Sequence, residues 1–65
     1  MQPHEQRVIA EFDDLGGKLS KLNDFFKTET FEELPDADRI LLLTQKDQMT
    51  CYLNTLQRRI NRFER

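Results

Sequence analysis

Apolar residues recur along this chain at a spacing that belongs to helices. Val8, Phe12, Leu15, Leu19, Leu22 and Phe26 follow one another at intervals of 4, 3, 4, 3 and 4. This is the pattern of a helix that buries one narrow seam. A second stripe, Met49, Leu53, Leu56, Ile60 and Phe63, repeats it at 4, 3, 4 and 3. Two matched seams predict an all-α fold: an antiparallel helical hairpin in which each stripe covers the other. The first helix is predicted from about residue 4 to 27, with Pro3 tolerated in its first turn, where a missing N–H is no loss. A connection over 28–38 follows, and a second helix from about 36 to 63. Thr30-Phe31-Glu32-Glu33 fits a capping box, with Thr30 as the cap. It predicts a short helical turn that Leu34-Pro35 ends, because a proline pushes the residue before it out of the helical region. Phe31 and Leu34 are expected to close the core at that end.

Two positions interrupt the regularity. Gly16-Gly17 lies in the middle of the first helix, where each glycine costs about 1 kcal/mol relative to alanine. The pair marks a soft spot, a kink or a place where another backbone comes close. Gln45 and Lys46 fall where the second seam would carry an apolar residue. Either the Lys46 stem runs along the core edge, or the two form a polar wall. Ile9, Phe25, Leu41, Leu43, Cys51 and Tyr52 lie off both seams. A two-helix hairpin cannot bury them all, so the chain is expected to assemble into a helical homo-oligomer.

The length of 65 residues supports this expectation. A single domain of this size buries only about 60% of its unfolded surface and is marginal alone. One cysteine, Cys51, excludes an internal disulfide and fits a reducing compartment; it reads as a small packed residue. One histidine, His4, has no partners for a metal cluster. The sequence implies no metal and no cofactor. It has no membrane-spanning run and no leader pattern. A net charge of −2 argues against binding to duplex nucleic acid. The charges are nonetheless segregated, with Glu29, Glu32, Glu33, Asp36 and Asp38 at one end of the hairpin. Arg58, Arg59, Arg62 and Arg65 gather at the other. Antiparallel packing brings His4 and Arg7 to Arg59 and Arg62, an open end suited to an anion or to satisfying a helix C-terminus. No nucleophile–base pair and no phosphate loop are present, so the chain does not read as an enzyme.

The stretch His4-Glu5-Gln6-Arg7-Val8-Ile9-Ala10-Glu11, the run Lys21-Leu22-Asn23-Asp24-Phe25, and Phe31 through Leu42 with Gln45, Met49, Tyr52, Leu53 and Leu56 carry a resemblance. With them the chain is similar to the phage anti-CBASS cyclic-oligonucleotide sponges, the second anti-CBASS protein family. That resemblance implies a small helical protein of the host cytoplasm that assembles into hexamers. It implies binding of cyclic dinucleotides and cyclic trinucleotides at separate sites, without cleavage, so that CBASS effectors are not activated. In the family an aromatic residue, typically tyrosine, and a lysine fifteen positions later hold the dinucleotide; here they correspond to Phe12 and Lys27, with Thr28 beside them. Phe12 keeps the ring but lacks the hydroxyl. For trinucleotides or phosphate the candidates are His4, Arg7, Arg59 and Arg62. Fifteen helical residues span about 22 Å, too far for Phe12 and Lys27 of one chain to grip one compact ligand, so a shared pocket is expected. The alternative reading is a helical interaction module that docks on a host or phage protein.

Overall fold

A computed structural model describes residues 2–63. It contains three helices: α1 (Pro3–Phe25), α2 (Glu29–Glu33) and α3 (Asp36–Asn61). The long helices α1 and α3 pack on each other as the two stripes require. The molecule is a rod of 47 × 15 × 14 Å. Its radius of gyration is 14.9 Å, against roughly 11 Å for a compact chain of this length.

Each helix boundary has a local cause. Pro3 occupies the first helical position of α1, and the Gln2 N–H donates to Glu5 Oε1 at 2.8 Å. At the other end α1 stops at Phe25, two residues short of the predicted boundary. The Lys27 N–H donates to the Asp24 carbonyl at 3.1 Å, and the Thr28 N–H to the Phe25 carbonyl at 3.0 Å. This tightened turn places Lys27 beyond the helix. The cap of α2 is Thr28 and not Thr30, which lies inside α2. The Thr28 hydroxyl accepts from the Phe31 N–H at 3.2 Å and donates to the Phe25 carbonyl at 2.6 Å, so one side chain ends α1 and starts α2. Leu34 is extended, with φ −70° and ψ 148°, as the following proline demands. From Pro35, α3 runs to Asn61 rather than to residue 63, with Asp36 and Asp38 in its first turn and Arg58 and Arg59 in its last.

The core is thin. Val8 is 6% exposed and Leu56 fully buried; the remaining stripe residues are half-buried. An aromatic contact marks each end. At the connection, Phe31 meets Phe25 and Phe26 edge to face, with ring centroids 5.9 and 4.8 Å apart. At the open end the His4 ring stands edge-on to Phe63 at 6.2 Å. Lys46 fills the gap in the second stripe by placing Nζ 5.7 Å from the Phe26 ring centroid, a cation–π contact at the core edge.

Gly16-Gly17 does not break α1, which is continuous through both. A Cβ built on either glycine meets nothing within 4 Å, so among the described residues no other segment approaches there. Cys51 is exposed and not packed, because it lies on α3 away from the stripe. Ile40 and Leu41 are 62% and 66% exposed, and Leu43 and Tyr52 are also substantially exposed. Of the apolar surplus read from the sequence, Leu41, Leu43, Cys51 and Tyr52 are thus on the surface of the protomer, whereas Ile9 and Phe25 are half-buried. Among the described residues no helix is long and apolar enough to cross a membrane.

Candidate functional site

Antiparallel packing brings the beginning of α1 against the end of α3, and an open groove of about 700 Å³ lies there. Its charged lining is His4, Arg7, Glu11, Asp14 and Arg59. Three of the four residues expected to hold a phosphate thus share one surface. Arg62, at the C-cap of α3, is not part of the lining, and Arg65 lies outside the described residues.

The groove also holds residues that the sequence reading passed over. Glu11 and Asp14 follow Arg7 along one face of α1, giving the groove a cationic end and an anionic end. From α3 the Tyr52 hydroxyl donates to Glu11 Oε2 at 2.6 Å, a bond between residues 41 positions apart. The Tyr52 phenol is held above the ordinary tyrosine value. The Glu11 hydrogen bond is the main cause, with desolvation and the Glu11 charge adding to it and Arg59 opposing it. Asp14 Oδ2 receives Lys18 Nζ at 3.2 Å on the solvent side. The i, i+4 spacing of Arg7 and Glu11 was legible as a helix-face pair; the reach from Tyr52 was not.

The second group of candidates lies elsewhere. Phe12 is half-buried on the inner stripe of α1, and Lys27 is exposed in the turn after it. Thirteen helical residues separate Phe12 from the end of α1 at Phe25, about 20 Å of rise. One protomer therefore does not bring the ring and the ammonium together. Thr28 is engaged as the cap of α2. Close to that end, a smaller recess of about 330 Å³ is lined by Phe31, Asp36, Arg39, Ile40 and Leu43. Arg39 there is paired with Asp36 in the first turn of α3.

With this geometry in place, comparison with known proteins decides the family. The family model of Sequestin matches residues 2–62. The chain belongs to the Sequestin family. Sequestin is the phage anti-CBASS cyclic-oligonucleotide sponge, so the resemblance carried by the α1 and α3 segments is borne out. A protein of Enterobacteria phage T4, described as an uncharacterized 7.5 kDa protein in the denB-rIIB intergenic region, is 31% identical over 64 residues. The alignment covers 98% of this chain and 100% of that protein. No solved structure matches. The Sequestin match spans α1, α2 and α3, including the groove and the turn that carries Lys27.

Proposed function

We propose that this Sequestin protein binds cyclic oligonucleotide second messengers in the host cytoplasm and holds them intact, so that CBASS effectors are not activated. The observation that carries the reading is the family match over residues 2–62. Two features of the protomer support it. The exposed Ile40, Leu41 and Leu43 give a helical face that a further copy can cover, in keeping with a homo-oligomer of the hexameric kind. The separation of Phe12 from Lys27 favours a dinucleotide cleft built between copies, one supplying the ring and another the ammonium. In that cleft Phe12 stacks on a base and Lys27 faces a phosphate. Thr28 joins them only by turning its hydroxyl proton from the Phe25 carbonyl to a phosphate oxygen. The open-end groove, with His4, Arg7 and Arg59 and with Arg62 at its margin, takes the phosphates of a cyclic trinucleotide. Binding without turnover needs no nucleophile and no metal, and the reading assigns neither.

The test is capture and release. The purified protein is incubated with a mixed pool of cyclic di- and trinucleotides, washed and denatured, and the released molecules are identified. Intact cyclic nucleotides are expected; linear fragments, or an empty protein, overturn the reading. Lys27→Ala removes one charge-assisted hydrogen bond, worth about 1.5–3 kcal/mol. Calorimetry is then expected to show cyclic dinucleotide affinity weakened roughly tenfold to a hundredfold. An unchanged affinity removes Lys27 from the site.

A further inference from the structure

The open-end groove carries more information than a phosphate site needs. Arginines alone suffice for phosphate, and carboxylates oppose it. Yet Glu11 and Asp14 line the same groove as Arg7 and Arg59. The charges are ordered rather than mixed. Tyr52 pairs with Glu11 across the helices, so Arg59, seven residues further along the antiparallel α3, lies level with His4 and Arg7. Glu11 sits four residues beyond Arg7 on α1, about 6 Å along the axis. A nucleotide has the same polarity over a comparable span, with an anionic phosphate at one side of the sugar and a base edge at the other.

The chemistry of Glu11 narrows the base. A carboxylate is acceptor-only. Guanine presents two donors side by side, N1–H and the N2 amino group, which one carboxylate accepts together. Adenine presents one amino donor beside the N1 lone pair, which a carboxylate repels. Cytosine likewise pairs a donor with an acceptor, and uracil sets its single N–H between two carbonyls. The two acids of the groove are not equivalent. Asp14 Oδ2 is engaged by Lys18. Glu11 makes no ion pair among the described residues, and Tyr52 takes one lone pair of its Oε2 at 2.6 Å, so that among the described residues Oε1 and the second lone pair of Oε2 can still accept together. Tyr52 thereby fixes the direction of the carboxylate from the opposite helix.

We infer that the groove selects guanine-containing cyclic oligonucleotides. Arg7 and Arg59 hold a phosphate, Glu11 accepts from the guanine Watson–Crick edge, and Tyr52 is the positioning residue that orients Glu11. The inference rests on the sequestration reading, and it adds a base preference that the reading does not contain.

The experiment compares two cyclic trinucleotides of the same linkage, one all-adenine and one with a single guanine, by calorimetry on the full chain. A bidentate base contact discriminates by about fivefold to a hundredfold, and the wild type is expected to favour the guanine ligand by that ratio. Glu11→Gln replaces two acceptors with an acceptor and a donor, the complement of adenine, and is expected to invert the preference. Tyr52→Phe keeps the ring but removes the donor. It is expected to lower guanine-ligand affinity while leaving all-adenine affinity unchanged, a split that mere loosening of the hairpin would not give. Far-UV circular dichroism monitors folding of both variants. Equal wild-type affinities, or a wild-type ratio retained in Glu11→Gln and Tyr52→Phe, overturn the inference. Binding of dinucleotides but of neither trinucleotide also overturns it while leaving sequestration standing. Failure to bind any cyclic oligonucleotide defeats both.

Discussion

Replacing Gly16 and Gly17 by alanine tests the hairpin and its surroundings together. Both glycines lie inside the continuous α1, neither has positive φ, and an added Cβ on either meets open space. Nothing in the protomer therefore requires glycine. Each substitution removes the backbone-entropy penalty of an interior helical glycine, about 1 kcal/mol, so the double variant gains about 2 kcal/mol. For a chain of this size 1 kcal/mol moves the melting temperature by about 4–8 °C, which places the expected rise at roughly 8–16 °C. The assay is thermal unfolding followed at 222 nm, with light scattering to hold the association state constant. A double variant that melts at or below the parent temperature refutes the reasoning. A loss of assembly in the same sample locates the cause: another copy is pressed against the glycine surface, and the methyl groups hold it off.

Two further predictions follow from burial and from charge. Leu56→Ala empties the one described side chain that is fully buried and is expected to cost about 2–5 kcal/mol. Urea unfolding checks it: a midpoint within a few tenths molar of the parent would mean that Leu56 is not the core. Tyr52 is the sole tyrosine and there is no tryptophan, so ultraviolet titration reads its phenol directly. Its folded value is raised mainly because its proton is donated to Glu11. The stability this bond contributes is therefore fully present below the ordinary tyrosine value near 10. It is lost as pH rises through the higher folded value. A titration midpoint at or below that of the urea-unfolded chain would contradict the bond.

The long helices were legible because their cause is periodic. Val8 through Phe26 and Met49 through Phe63 each announce one face, and one face is all that a hairpin needs. What escaped was decided by contacts between distant or competing residues. Thr30 has the better capping-box sequence, with Glu33 three residues on. Thr28 is the cap because Phe31 packs on Phe25 and Phe26 and draws the chain into a turn straight after α1. Lys27 leaves the helix for the same reason. At the site, His4, Arg7 and Arg59 could be placed together from antiparallel packing alone. The opposing Glu11 and Asp14, and the bond from Tyr52, depend on the rotation of each helix about its own axis, which a stripe of apolar residues fixes only loosely.

A rod two helices across has no room for a chamber closed on every side. Whatever a single copy touches, it touches from one flank, and water reaches the other. On the sequestration proposed above, lasting retention of a small ligand would rest on neighbouring chains staying together rather than on a flap that opens and shuts. Dilution lowers the fraction of chains that are assembled and crowded expression raises it, so on that reading the capacity to hold a ligand follows the abundance of the protein.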